Sequence, residues 1–210
     1  MELTVERLRR RLINEEKLLK EDAKDKKYSF IAKDVWEDGK FPRGVKKTIP
    51  TVYGPEVVPV VKQYTINFPA KGYIKPPGST VPKLQLRHTM TIHILRTYPF
   101  KMDAKLGAPI RVTWVSDIFH PNIAPGIDYG GPGVFCLGMI EKWLPSNYPI
   151  INLPTLIRVI KCVVENPNPD DPIGFPTCRE AAEWFKKHAS LLTEKNRPVI
   201  TRIEKLEREE

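Results

Sequence analysis

The chain has few cysteines and histidines, and neither residue type forms a recognised metal or disulfide pattern. Its three cysteines include no Cys-x-x-Cys pair, which argues against a disulfide framework and against a closed zinc site. Its four histidines are scattered, and no two have the helical i, i+4 spacing of a metalloprotease. We therefore expect no bound metal and no organic cofactor.

Long apolar runs are also missing. No run approaches the ~18–20 residues that a membrane-spanning helix needs, so no membrane partner is expected. The N-terminus becomes charged within its first residues and lacks the apolar centre of a signal peptide. These absences predict a cytoplasmic protein.

Positive charge is in excess, with a formal net charge of +9. This excess indicates either an acidic partner, nucleic acid or an acidic protein face, or simply a well-solvated surface. The Arg9-Arg10-Arg11 run is the strongest argument for a nucleic-acid binder. Few aromatic residues interleave with the basic ones and no nucleic-acid motif is present, so we do not expect a nucleic-acid partner.

Residues 3–24 have the pattern of an amphipathic helix. Thr4 suits the N-cap, and apolar residues recur on one face at Val5, Leu8, Leu12 and Leu19. The other faces are basic, with Arg7, Arg9, Arg10, Arg11, Lys17 and Lys20. These faces are either solvated or a docking surface for an acidic partner.

Four strands are predicted next, at residues 28–36, 64–68, 89–94 and 110–114. The clearest is 89–94, in which Met90, Ile92 and Ile94 alternate with polar residues. Short connections between successive strands favour an antiparallel meander. Residues 37–62 are rich in Gly, Pro and Lys and are interpreted as an ordered loop or insertion.

The last third of the chain predicts helices. Residues 152–165 are predicted to form a second helix, with Asn152 as its N-cap. A third helix is expected to begin at Thr177, with Glu180 completing a capping box. Cys162 and Cys178 lie inside these helices and are interpreted as packing residues. The fold class is therefore α+β, with one domain over 1–190 and a helical extension over 191–210.

Cys136 is the candidate nucleophile, because its surroundings contain too much Gly and Pro for a helix interior or a central strand. No histidine is placed as its base; His120 belongs to a His-Pro-Asn run and is interpreted as pinning backbone. An unactivated thiol suits exchange with an existing thioester better than cleavage of an amide. A papain-like protease is also disfavoured because no His/Asn pair follows Cys136 at a suitable distance.

Several motifs occur together in one order, and the chain resembles the ubiquitin-conjugating enzymes from about residue 3 to 190. The matching segments are Tyr98-Pro99-Phe100-Lys101, His120-Pro121-Asn122, Gly133-Val134-Phe135-Cys136-Leu137, Trp143 with Pro145, and Asn166-Pro167-Asn168-Pro169-Asp170-Asp171-Pro172. No single segment is specific, but the ordered combination is.

The resemblance implies the following site. Cys136 matches the cysteine that accepts a ubiquitin-like modifier as a thioester, and Asp171 matches the acidic position near the incoming lysine amine. Asn122 matches the family's asparagine, which either stabilises the oxyanion or holds the loop. His120 and Pro121 belong to the structural part of the loop. Asp170 and Asp171 have a plainer interpretation too, as residues that shape the Pro-rich turn.

The resemblance also implies partners: a ubiquitin-like modifier, an activating enzyme, a RING-type ligase and the lysine of a substrate protein. Ligase contact is expected at Phe100, Pro145 and Ser146, and activating-enzyme contact at Arg7, Arg10, Arg11 and Lys17. The alternative is a non-catalytic modifier-binding module on the same scaffold, although such modules typically lack the cysteine.

The chain departs from the family pattern in three places. The bend between Asn122 and Gly133 is longer than in most members, and the segments 37–62 and 102–109 look inserted. These departures predict a divergent, even prokaryotic, member.

Overall fold

The computed structural model describes residues 2–35, 44–100, 108–128, 130–143 and 152–191, with backbone only at 141–143 and 191. The helices are α1 Val5–Lys26, α2 Gly138–Trp143, α3 Leu153–Glu165 and α4 Pro176–Lys187, with 3-10 turns at Gly126–Asp128 and Ala189–Leu191. The strands are β1 Ser29–Asp34, β2 Val45–Ile49, β3 Glu56–Ile74, β4 Lys83–Leu95, β5 Ile110–Trp114, β6 Ile123–Ala124 and β7 Gly133–Phe135.

Helix α1 begins and ends at the residues that its sequence chemistry favours. The Thr4 side chain accepts a hydrogen bond from the main-chain N–H of Arg7 (3.4 Å), so the predicted N-cap is confirmed. Lys27 ends the helix in the left-handed conformation, at φ 57°. Leu8, Leu12 and Leu19 are buried along one face, as the periodicity predicts.

The strands form one antiparallel sheet in the order β1-β3-β4-β5-β7-β6, and β2 pairs with β3. The predicted α+β class, with an N-terminal helix, an antiparallel sheet and C-terminal helices, is confirmed. Met90, Ile92 and Ile94 are fully buried, and α3 packs Leu156, Ile160 and Val163 into the same core. The sheet therefore has its helices on the core face.

The interpretation of residues 37–62 as a loop is wrong where the structure describes them. Residues 45–49 form β2 and pair with 56–60 of β3 in a hairpin. Ile49, Val58 and Val60 are buried with Val35 and Leu95 in a small second core. Alternating burial thus outweighs the local Gly, Pro and Lys content, and this hairpin lengthens β3 beyond the predicted 64–68.

Two predictions about the later helices also need correction. Helix α4 has Phe175 as N-cap and Pro176 at its first position, without a side-chain cap. The Thr177 hydroxyl donates to the carboxylate of Asp128 instead, so the predicted Thr177–Glu180 capping box does not form.

Cys178 is fully buried as predicted, but Cys162 is only half-buried on α3. Residues 192–210, with the predicted extension, lie outside the described part.

Three buried histidines make stability sensitive to acid. Burial lowers the pKa of His88 to about 4 and of His120 to about 3, and burial with the Lys47 ammonium lowers that of His93 to about 4. Each neutral ring is therefore favoured in the folded chain. The unfolded chain binds more protons below pH 6.5, so stability falls as the pH is lowered from 6.5 toward 4.

We predict that the free energy of unfolding decreases by about 2 kcal/mol per buried histidine between pH 7.5 and pH 5, as an upper limit. Urea unfolding at several pH values measures this slope. His93→Gln should flatten it, whereas the matched substitution at exposed His188 should leave it unchanged. Equal slopes in the His93 and His188 variants would contradict the assignment of the acid sensitivity to the buried histidines.

Candidate active site

Cys136 lies between β7 and the first turn of α2 and is half-buried. Its main-chain oxygen accepts a hydrogen bond from Met139 N (3.1 Å), which starts the helical turn. A Cβ at Gly138 would lie 3.8 Å from the Cys136 sulfur, so glycine leaves that side of the thiol uncovered. This position combines a fixed backbone with a partly accessible thiol.

The long bend after Asn122 does not separate Asn122 from Cys136. Strands β6 and β7 pair Ile123 with Phe135 and Ala124 with Val134, and Cys136 N donates to Asn122 O (3.2 Å). The bend therefore closes as a hairpin whose register sets the two residues opposite each other. Gly133 permits the close approach, since a Cβ there would lie 2.3 Å from Ala124 O.

His120 is fully buried and fixes the start of this hairpin. Its Nδ1 accepts from the main-chain N–H of Asn122 (3.0 Å), so the proton sits on Nε2, which donates to Val163 O (3.0 Å). Pro121 O accepts from Ile173 N at 2.8 Å. The His-Pro-Asn run is thus tied both to α3 and to the Pro-rich loop that precedes α4.

Asn122 is fully buried, and all of its amide atoms are engaged. Its Nδ2 donates to Asn168 O (3.1 Å) and Asp171 O (2.9 Å), and its Oδ1 accepts from Asn168 N (2.8 Å). No amide hydrogen is left over for an oxyanion in this geometry. The arrangement favours the loop-holding interpretation of Asn122 over the oxyanion interpretation. Sequence reasoning missed Asn168, whose amide-rich Asn-Pro-Asn-Pro context was the available signal.

The two aspartates of the loop differ in their contacts. Both side chains are exposed, and the Asp170 carboxylate lies 3.2 Å from the Lys186 ammonium. The main chain of Asp171 is held by Asn122, so its position follows that of the hairpin. An exposed carboxylate on an anchored backbone can meet a cation or an amine that arrives from solvent.

Cys178 differs from Cys136 in burial and in the pKa of its thiol, whereas Cys162 differs in lying on a helix. Burial, with the negative charge of Asp128, raises the pKa of Cys178 to about 12, so this thiol stays protonated at neutral pH. Cys178 is also fully buried, which leaves no room for a macromolecular acyl group. Cys162 is half-buried on α3.

The predicted partner surfaces are only partly open. Arg7, Arg10 and Lys17 are exposed on α1, but Arg11 is half-buried because its Nε donates to Glu15 (2.7 Å) and its guanidinium lies over the Tyr98 ring. Arg11 thus takes part in a structural ion pair, and its assignment to the activating-enzyme surface stays a prediction. Phe100 is half-buried, and Pro145 and Ser146 lie outside the described residues.

Glu15, which sequence reasoning also missed, is the centre of that structural pair. It is 1% exposed, and besides Arg11 it accepts from Tyr98 Oη (2.8 Å) and Leu153 N (2.8 Å). The carboxylate therefore joins α1, the segment after β4 and the first residue of α3.

Within the described ranges, no three His, Cys, Asp or Glu side chains are grouped to hold a metal ion. Among the helices of the same ranges, none is long and apolar enough to cross a bilayer.

No family model matches the chain. It is similar to the ubiquitin-conjugating enzyme E2 T of Bos taurus, at 27% identity over 133 residues, which covers 56% of this chain and 60% of the relative. The Homo sapiens E2 T is 26% identical over 128 residues (53% and 56%). The ubiquitin-conjugating enzyme E2 N of Drosophila melanogaster is 29% identical over 99 residues (41% and 58%).

The matches thus span less than two thirds of each of these relatives. The α+β fold of the chain, with its N-terminal helix, antiparallel sheet and C-terminal helices, is consistent with the fold of that family. In motif order, in fold and in sequence, at 26–29% identity, the chain is similar to the ubiquitin-conjugating enzymes.

Proposed function

We propose that the protein is an acyl carrier of the conjugation pathway: it accepts a ubiquitin-like modifier on Cys136 from an activating enzyme and passes it to a lysine. The observation that carries the proposal is the hairpin register that sets half-buried Cys136 opposite Asn122. Asn122 in turn donates to the main-chain oxygen of Asp171, so one residue connects the cysteine segment with the loop that bears this aspartate.

In the first step, the Cys136 thiolate attacks the carbonyl carbon of the thioester on the activating enzyme. A new C–S bond forms, the old C–S bond breaks, and the leaving thiolate takes up the proton that Cys136 released. The bond energies of the two thioesters are similar, so this exchange does not require a strongly activated thiol.

In the second step, the neutral amine of a lysine attacks the same carbonyl carbon, and Cys136 leaves as a thiolate. Free lysine has a pKa near ~10.4, so under ~0.1% is neutral at pH 7. The Asp171 carboxylate alone would stabilise the ammonium. Its proposed role is to position the amine and take its proton as the C–N bond forms.

Asn122 acts in this proposal as a positioning residue. Its three hydrogen bonds hold the loop that carries Asp171 against the hairpin that ends at Cys136.

The partners and compartment follow from the same proposal. Arg7, Arg10 and Lys17 form the exposed basic face of α1 and would meet the activating enzyme. A RING-type ligase would hold the loaded protein beside its substrate. The chain is proposed to work in the cytoplasm, whose reducing conditions keep a thiol such as that of Cys136 available for thioester exchange.

The test mixes the protein with ubiquitin, its activating enzyme and ATP, followed by a non-reducing gel. A ubiquitin-sized adduct that thiol reductant removes is expected. Cys136→Ala should abolish the adduct, and Cys162→Ala and Cys178→Ala should retain it. An adduct that persists in folded Cys136→Ala would sink the proposal.

A further inference from the structure

The turn of the β2–β3 hairpin, residues 50–55, lies beside the cysteine segment. Val52 packs against the same apolar cluster as Cys136, formed by Ala124, Val134, Ile173 and Cys178. Pro50, Thr51 and Val52 also line a cavity together with Phe135 and Leu137, the residues immediately before and after Cys136. Two independent sets of contacts therefore bring this turn to the candidate nucleophile.

The turn is held in one conformation. Thr51 and Gly54 exchange main-chain hydrogen bonds (3.1 and 3.0 Å), and the Thr51 hydroxyl donates to Gly54 O at 2.6 Å. Gly54 has φ +103°, a conformation that a side chain disfavours. A turn closed in this way presents its side chains at defined places.

The base of the hairpin is also anchored. The Arg111 guanidinium on β5 is 1% exposed and donates to both carboxylate oxygens of Glu56 (2.8 and 3.0 Å), where β3 begins. Such a bidentate pair fixes orientation as well as distance. This ion pair joins the base of the hairpin to β5, the strand that pairs with β7 just before the cysteine segment.

We propose that the turn forms a wall of the transfer site, in which Val52, on the side of the cysteine segment, and its exposed neighbour Tyr53 contact the C-terminal peptide of the modifier while it is bound to Cys136; this rests on the proposed function. The thioester bond places the last modifier residue at the sulfur. An extended peptide advances about 3.3–3.6 Å per residue, so its last three residues stay within about 11 Å. A peptide that leaves the sulfur on the side of Phe135 and Leu137 would meet the turn within that distance.

The chemistry of the cavity favours this peptide over the acceptor amine. Its lining from the turn is apolar or hydroxylic, and its one cation, Arg111, is already paired with Glu56. A lysine ammonium is stabilised by a carboxylate, and Asp170 and Asp171 supply exposed carboxylates on the loop that Asn122 holds. The turn therefore offers mainly apolar contact to the peptide that is bonded to Cys136.

The experiment compares three variants of the full chain: Val52→Ala, Tyr53→Ala and, as matched control, Val57→Ala. Tyr53 is 64% exposed and Val57 is 62% exposed on the same hairpin, so neither change should affect folding, which thermal unfolding checks. Each protein is loaded with ubiquitin, and its single-turnover discharge to free lysine and to water is timed.

Val52→Ala and Tyr53→Ala are expected to slow discharge to lysine about tenfold, with hydrolysis unchanged or faster, because the peptide is no longer held for attack. Val57→Ala should stay within about twofold of the wild type. Free lysine is used because it is too small to need a protein surface.

Two results would overturn the inference alone. In the first, the wild type loads and the turn variants discharge to free lysine as fast as the wild type does. In the second, the turn variants are slow only when a protein substrate replaces free lysine, which would assign the turn to substrate binding. A wild type that forms no adduct at Cys136 would overturn the proposed function and this inference with it.

Discussion

Replacing Glu15 by alanine is expected to lower the free energy of unfolding by about 3–5 kcal/mol. Glu15 is almost fully buried, and its two oxygens accept from Arg11, Tyr98 and the main-chain N–H of Leu153. Alanine leaves a cation, a buried hydroxyl and a helix N-terminus without their acceptor. Each unmet buried donor costs on the order of 1–3 kcal/mol.

The Tyr98 hydroxyl cannot adapt by ionising. Burial and the Glu15 carboxylate raise the pKa of Tyr98 well above its ordinary value, so it remains a neutral donor that needs an acceptor. Leu153 begins α3, whose buried face supplies much of the main core. The loss should therefore spread from α1 to the packing of α3.

Urea unfolding followed by tryptophan fluorescence measures the effect, with Glu21→Ala as the control because Glu21 is exposed on the same helix. The control should change stability by less than about 0.5 kcal/mol. Glu15→Gln, which keeps an acceptor oxygen but loses the charge, should fall between the two. Equal stabilities for the Glu15 and Glu21 variants would refute the network.

Replacing Asn122 by alanine is expected to cost about 2–4 kcal/mol and to uncouple the two chemical steps. Three hydrogen bonds to Asn168 and Asp171 are lost from a fully buried position. The folded fraction should still load ubiquitin on Cys136, because Cys136 bonds to the main chain of Asn122. Transfer to lysine should fall on the order of 100-fold as the Asp171 loop shifts.

Amide hydrogen exchange of residues 166–173, measured alongside both rates, separates positioning from direct oxyanion stabilisation. Faster exchange in the loop is expected in Asn122→Ala and in Asn122→Asp, which keeps an acceptor and loses both donors. Asn67→Ala is the control, since Asn67 bonds to Thr89 and Arg87 side chains on the sheet. Slow transfer with native-like exchange and unchanged melting would favour the oxyanion interpretation.

The elements with strong local signals could be predicted from the sequence. Helices α1 and α3 carry both an apolar stripe and a capping residue, Thr4 and Asn152, whose side chains make the expected bonds. Strand β4 alternates cleanly around Met90, Ile92 and Ile94. In each case the local preference and the tertiary burial agree.

The features that the sequence did not predict depend on contacts between distant segments. Strand β2 is stabilised by pairing with β3 and by burial with Leu95, which its own Gly-, Pro- and Lys-rich neighbourhood does not reveal. Thr177 has a good capping sequence, but the Asp128 carboxylate competes for its hydroxyl. Arg11 looked like surface charge because its partner, Glu15, is buried only once α3 packs against α1.

The site shows the same division. Motif order was enough to predict that Cys136, Asn122 and Asp171 belong together, and the structure connects all three through main-chain or side-chain hydrogen bonds at Asn122. The partner of Asn122, Asn168, and the turn that carries Val52 depend on loop closure. Long loops close in many ways, so spacing alone does not select one.

The most direct measurement of the central claim is the stability of the adduct formed by Cys136→Ser with ubiquitin, the activating enzyme and ATP. If Cys136 carries the acyl group, serine should give an oxygen ester that survives thiol reductant and is cleaved by hydroxide, while the wild-type adduct is lost in reductant. A serine variant whose adduct is still removed by reductant would place the acyl group on another cysteine and contradict the account.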